Sequence, residues 1–222
     1  MLTLVIDNKA YSSWSLRPWV FLRHHGIALT EVRVPLYVGD YKARIAAYSA
    51  AARVPVLVDG EITVWESLAI LEYLCERVPA ARGWPADAAA RAHARAISAE
   101  MHSGFPSLRQ HLSMNMRKVY TWREWPPEVV MDIARVESSW AECRRSFAGA
   151  GSGNAGPFLF GAFTAADAMY SPVVWRLHGY SAPVSAATRA YLDAMLALPA
   201  MREWQAGAQA EAEVLAQFER ET

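Results

Sequence analysis

Two β-rich runs, Val54-Pro55-Val56-Leu57-Val58 and Glu61-Ile62-Thr63-Val64-Trp65, flank the dipeptide Asp59-Gly60. Asp-Gly between two such runs signals a tight type I′ hairpin turn, with positive φ at its central residues. These residues therefore form an antiparallel strand pair. Pro55 constrains the chain further, because a proline cannot donate to the sheet ladder. Val54-Pro55 must lie at an edge, at a bulge or in a special turn. Two readings stay open. One is a plain edge strand. The other is a cis-proline that turns the Val54 backbone outward, with its N–H and C=O free for a peptide-like ligand.

The flanking sequence alternates in type. Leu2 to Ile6 is a short apolar run that ends at Asp7-Asn8, a strand and a turn. Arg17 to His25 reads as a helix, with Pro18 in its first turn and Gly26 past its end. Val32, Val34 and Leu36 recur at every second position and predict a second strand. A helix is expected over 41–48. Another begins at Ser67, with Leu68, Leu71 and Cys75 on one stripe. The order over residues 1–80 is β-α-β-α-β-β-α. Pro79, Gly83 and Pro85 punctuate a linker. Helical patterns then cover 86–100, 101–118, 127–147, 165–178 and 185–197, with no strand after Trp65. The expectation is an α/β domain over 1–80 followed by an all-α domain over 86–222.

Composition removes several classes of function. Hydrophobic residues are 53% and charged ones 20% of the 222, so the chain can bury a core and is not disordered. Lys plus Arg number 22 and Asp plus Glu 22, which leaves no bulk electrostatic case for nucleic acid or an anionic membrane. Two cysteines, Cys75 and Cys143, make neither a disulfide framework nor a zinc site, and the six histidines lack ligand spacing. The first apolar run is too short for a signal peptide, and no run approaches the ~20 residues of a membrane span. A cytoplasmic protein without a metal is expected.

Three features fall at the tips of the β-α-β-α-β-β-α unit. Tyr11-Ser12-Ser13-Trp14-Ser15-Leu16-Arg17 places hydroxyls at the mouth of the first helix, where a capping serine is the ordinary explanation. Val54-Pro55 opens the third strand. Glu66-Ser67 begins the next helix, whose free N–H groups suit a carboxylate, although Ser67 also reads as a plain N-cap. Absence of Cys-x-x-Cys excludes dithiol redox chemistry. Further on, Thr164-Ala165-Ala166-Asp167 is a capping box that fixes a helix start. Gly151-Ser152-Gly153-Asn154-Ala155-Gly156 fits G-x-G-x-x-G. A helix precedes it and Pro157 follows, so it reads as a surface loop rather than a nucleotide site.

Taken with Phe158-Leu159-Phe160-Gly161, these motifs make the chain resemble the glutathione transferase superfamily over nearly its whole length. The serine-type start is similar to the zeta and tau classes and to related bacterial transferases, as is Ala99-Glu100-Met101-His102-Ser103-Gly104-Phe105. The resemblance implies a thioredoxin-like first domain that binds glutathione as co-substrate, a helical second domain, and a homodimer. It implies that Val54 pairs with the cysteinyl backbone of glutathione beside a cis Pro55. Glu66 and Ser67 would hold the γ-glutamyl end, with Lys42 and Arg53 as candidates for the glycyl carboxylate. The catalytic hydroxyl is Ser12 or Ser13, with Ser12 preferred. Arg17 either adds positive potential or forms a structural ion pair. Trp14, Met101, His102 and Phe105 would border the electrophile pocket. Zeta members carry a cysteine where Trp14 stands, which weighs against zeta-type isomerase chemistry. Three functions follow from the resemblance: glutathione conjugation of a small electrophile, cis–trans isomerisation of the maleylacetoacetate type, and a non-catalytic transferase-like binding or interaction protein.

Overall fold

A computed structural model describes residues 1–148 and 155–220. Most of the Gly151–Gly156 segment lies outside the described residues. Strand β1 (Leu2–Ile6) is central and pairs in parallel with β2 (Leu29–Arg33) and antiparallel with β3 (Val56–Asp59). Strand β4 (Ile62–Trp65) closes the sheet in the order β2-β1-β3-β4. Alternation along β1 divides the core. Leu2, Leu4 and Ile6 face one side, with helices α1 (Ser13–His24) and α3 (Ser67–Arg77). Val5 faces the other, with Val34, Val56 and Ile45 of α2 (Tyr41–Ala46).

Three boundaries differ from the sequence expectation. Helix α1 starts at Ser13 rather than Arg17, because Ser12 caps it, so Pro18 lies inside the helix and not in its first turn. Strand β2 stops at Arg33, where its partner β1 ends at Ile6. Leu36 has left the ladder and donates its N–H to Asn8 Oδ1 at 3.0 Å. The β3–β4 ladder runs on to Asp59 opposite Ile62, so the turn residues are Gly60 and Glu61. Gly60 alone of these has positive φ, at 62°, which fits a type II′ pattern and not type I′. Asp59 instead accepts from Tyr73 Oη (2.8 Å) and Arg77 Nε (2.9 Å), tying the hairpin to α3.

Helices build the rest: α4 (Ala88–Ser103), α5 (Pro106–His111), α6 (Pro127–Phe147), α7 (Ala165–Gly179), α8 (Ala186–Leu196) and α9 (Pro199–Ala210). The continuous helix expected over 101–118 is broken. Gly104 ends α4, Phe105 takes φ 59°, and Pro106 starts the short α5. A residue before proline is disfavoured in the helical region, which accounts for the break. Helix α9 was absent from the sequence expectation. Its Pro199 at the first turn and the buried spacing of Met201, Trp204 and Ala208 were the available signal.

Helix α7 is buried almost throughout and packs against α1, so one hydrophobic core runs from the sheet into the helices. The Thr164–Asp167 capping box is present at its start. Asp167 does more than cap. Its Oδ2 accepts from Thr164 N–H (2.8 Å) and Oγ1 (2.9 Å), while Oδ1 accepts from Leu159 N–H and Tyr191 Oη, both at 3.0 Å.

Candidate functional site

Two cavities meet at the mouth of α1. The larger, about 480 Å³, is lined by Asp7, Ser12, Trp14, Lys42, Arg53, Val54, Pro55 and Glu66, among others. Residues far apart in sequence thus converge: the β1–α1 turn, the loop after α2, the start of β3 and the end of β4. Pro55 follows a cis peptide bond to Val54, and β3 begins just after it. Glu66 caps α3 with φ 69° and faces the cavity.

Ser12 is nearly buried and belongs to both cavities. Its Oγ accepts the Ser15 N–H at 3.3 Å, the ordinary N-cap bond. A hydroxyl has one hydrogen besides its lone pairs. Capping therefore leaves the Ser12 hydrogen available to a second acceptor, either the Asp7 carboxyl or a bound ligand. Beneath it lies Asp7, whose Oδ1 accepts from Ser15 Oγ at 3.3 Å. Burial raises the Asp7 carboxyl to about 7, against the opposing hydrogen bonds from Ser12 and Ser15. Ser13, the first residue of α1, lines the second cavity and not the larger one.

The second cavity, about 290 Å³, shares Asp7, Ser12, Trp14 and Leu36 with the first. Its far wall is Arg109 of α5, Arg176 of α7, Ser113 and Met114, roofed by Leu215 and Phe218. Trp14 divides the two cavities. Its ring carries Arg17 at 4.3 Å and Arg109 at 5.0 Å, and meets the His102 ring edge-on at 5.3 Å.

The remaining sequence candidates are placed differently. Arg17 is buried behind Trp14 and lines neither cavity. Its Nη1 donates to Ser67 Oγ at 3.2 Å, and among the described residues it forms no ion pair, contrary to one of the two expectations for it. Ser67 is fully buried, so its hydroxyl serves Arg17 rather than capping α3. Met101 and Phe105 belong to the core and touch neither cavity. His102 stands behind the lining, with Nε2 3.5 Å from Glu66 Oε2. Its pKa is lowered, first by burial and then by the Arg17 charge, so the neutral ring is favoured. Among the described residues, no group of three or more His, Cys, Asp or Glu side chains could hold a metal ion. No helix of the described residues is long and apolar enough to cross a membrane.

Residues 11–77 match the family model described as glutathione S-transferase, N-terminal domain. The whole fold agrees. A Burkholderia glutathione transferase homologue solved with bound glutathione superposes with TM-score 0.68 at 24% identity, covering 95% of this chain and 99% of that one. Residues 11–77 thus carry the glutathione S-transferase N-terminal domain, and the chain as a whole has the glutathione transferase fold. A probable maleylacetoacetate isomerase of Caenorhabditis elegans is 39% identical over 101 residues, or 45% of this chain and 46% of that entire protein. A dichloromethane dehalogenase of Methylorubrum extorquens is 51% identical over 37 residues, 17% of this chain and 13% of the dehalogenase. The chain thus spans less than half the length of the curated relatives it matches.

Sequence reasoning missed several lining residues of this transferase fold. Asp7 was read as part of a turn. Arg176 had a signal: it is the one charged residue in the mainly apolar stretch from Ala168 to Leu177. Arg109, Leu215 and Phe218 had none, because an isolated charge on a helix and two apolar residues in a polar tail read as ordinary surface and core.

Proposed function

We propose that this protein is a glutathione transferase that holds the glutathione sulfur as thiolate at Ser12 for attack on a small electrophile. In this reading the larger cavity takes the tripeptide. Val54 and Pro55 lie along its backbone, Glu66 meets the γ-glutamyl amine, and Lys42 and Arg53 meet the glycyl carboxylate. The carrying observation is that all of these residues line one cavity together with Ser12. Ser67 enters through its buried bond to Arg17, which fixes the start of α3.

The energetics are modest. An ordinary thiol has pKa ~8.5 and the thiolate is the nucleophile. Becoming mainly thiolate at neutral pH needs a shift of roughly two units, about 2.7 kcal/mol. A hydrogen bond to a charged acceptor contributes ~1.5–3 kcal/mol. The N-terminus of α1 adds ~0.3–1 kcal/mol. The Ser12 Oγ hydrogen, turned from Asp7 to the sulfur, and the α1 terminus together suffice without a general base. Asp7 fits this picture while protonated, because it then places no second negative charge beside the sulfur. Above about pH 7 its carboxylate competes for the Ser12 hydrogen.

The test is turnover of 1-chloro-2,4-dinitrobenzene with glutathione, combined with ultraviolet titration of the bound thiol. Ser12→Ala should lower kcat/KM about 10- to 100-fold and raise the bound thiol pKa by roughly one to two units. If Ser12→Ala leaves both unchanged while Ser13→Ala lowers them, the role passes to Ser13. The isomerase relative supports a second reading, cis–trans isomerisation of a maleylacetoacetate-like dienoate by addition, rotation and elimination at the same thiolate. Incubation with that dienoate separates the two. Absence of glutathione binding by calorimetry at millimolar ligand would instead make the protein a non-catalytic relative.

A further inference from the structure

The second cavity carries two arginines, Arg109 and Arg176, that form no ion pair with an acid among the described residues. Arg176 projects from α7 and is 7% exposed. Its Nε donates to the Leu112 carbonyl at 2.7 Å, which fixes the plane of the guanidinium. Its Nη1 and Nη2 make no protein hydrogen bond among the described residues. Arg109 is held similarly. Its Nε donates to the Gly104 carbonyl at 2.8 Å, and its Nη2 to the carbonyls of Met101 and His102. Carbonyl partners orient a guanidinium without cancelling its charge.

Among the described residues, neither arginine has a carboxylate within ion-pair distance. Arg17, which forms no ion pair among the described residues, adds a third cation behind Trp14. The group is self-repelling. Burial and then Arg109 lower the Arg176 pKa to about 10. Asp132 tempers Arg109 from a distance but spends its Oδ2 on the Leu108 N–H at 2.9 Å. Asp7, the one acid lining the cavity, is bound to Ser15. A buried cation without a counter-ion is costly, and such groups in native proteins answer to a partner.

We infer that the second cavity takes an electrophile that carries a carboxylate, seated on Arg176 and Arg109 with its reactive carbon turned toward Ser12 and Ser13. This rests on the transferase reading and specifies its substrate class. Planar guanidinium groups with free N–H pairs match a carboxylate bidentately. The volume, about 290 Å³, lies at the lower end for small-molecule pockets, so the electrophile is small. In the reaction the thiolate sulfur forms a C–S bond and the leaving group departs with its bonding pair. The carboxylate is unchanged and serves as a handle.

The test compares 4-chloro-3,5-dinitrobenzoate with its neutral amide. Both are titrated calorimetrically into protein saturated with S-methylglutathione, whose blocked sulfur prevents reaction. The acid should bind about ten- to a hundredfold more tightly than the amide. Arg176→Met should abolish that preference, and Arg176→Lys should restore part of it. Should Arg176→Met fail to give a native circular-dichroism spectrum, Arg109→Met is read the same way. Equal affinity for acid and amide in the wild type, or an undiminished preference in the Met variant, overturns the inference. Chloride release with free glutathione is measured in parallel. Tight acid binding without chloride release keeps the anion subsite and removes the transferase reading. Release from both probes at equal affinity does the reverse.

Discussion

A buried carboxyl next to the proposed sulfur position makes Asp7 the residue whose titration matters most. Its folded-state pKa stands near 7 against 3.8 for the free group, chiefly through burial. Between pH 4 and 7 the unfolded chain has released this proton while the folded chain retains it. Stability from this group is therefore fully present below pH 4 and declines as pH rises toward 7. The difference amounts to about 4 kcal/mol once the folded state is ionised. Asp7→Asn keeps the shape and one acceptor for Ser15 but removes the charge. Urea unfolding should show the variant more stable than wild type at pH 8 by on the order of 2–4 kcal/mol, with the gain vanishing at pH 4. A constant difference at both values would mean that Asp7 is not buried as a neutral acid. At this scale the sequence was legible where a residue's role is local. A capping serine was expected within Tyr11–Arg17 and Ser12 is the one that caps, while Val54, Pro55 and Glu66, singled out at strand ends, line one cavity. Met101 and Phe105 were misjudged because helical spacing marks which residues are buried but not which neighbour they are buried against.

At the scale of elements, helix α7 is the member that others depend on. Its first turn is locked by Asp167, which also holds the loop at Leu159 and the α8 residue Tyr191. Burial raises this carboxyl to about 6, and the four hydrogen bonds oppose that rise. Asp167→Ala strands several buried donors at once, each worth ~1–3 kcal/mol. The variant should lose more than about 3 kcal/mol in chemical denaturation, beyond the ~0.5–2 kcal/mol expected for a cap alone. Asp167→Asn, which retains acceptors, should lose less. A loss no greater than that of a simple cap would show that the loop and α8 contacts are dispensable. The box itself was readable from Thr-x-x-Asp, whereas its reach to Leu159 and Tyr191 was not, since those partners are brought in by tertiary packing. The same distinction explains the helices. The 127–147 segment matched because its pattern is long and uninterrupted. The 101–118 segment failed because Gly104 and Pro106 outweighed apolar spacing, and β2 shifted because its length is set by the end of β1.

For the whole molecule, the chain's last described segment closes the site that its first residues begin. Glu211 accepts the backbone N–H groups of Lys9 (2.7 Å) and Ala10 (3.0 Å), next to the turn that carries Ser12. Arg117 donates to the carbonyls of Glu211 (3.0 Å) and Glu213 (2.9 Å), and Phe218 stacks on Tyr11 with ring centroids 5.6 Å apart. These bonds hold Leu215 and Phe218 over the second cavity while leaving the larger one open. The two cavities therefore differ in what encloses them: sheet edge and loops for the larger, helices and the last described segment for the second. Replacing both roof residues, Leu215→Ala with Phe218→Ala, removes apolar cover worth up to ~1.5–3 kcal/mol for the buried Leu215 and less for the half-buried Phe218, while sparing the Glu211 anchor. Steady-state kinetics should show KM for the electrophile rising several-fold or more, with a smaller change in KM for glutathione. An equal rise in both would mean that the segment supports the β1–α1 turn as a unit rather than roofing one cavity. A smaller effect on the electrophile than on glutathione would place the electrophile outside the space between Ser12 and Arg176.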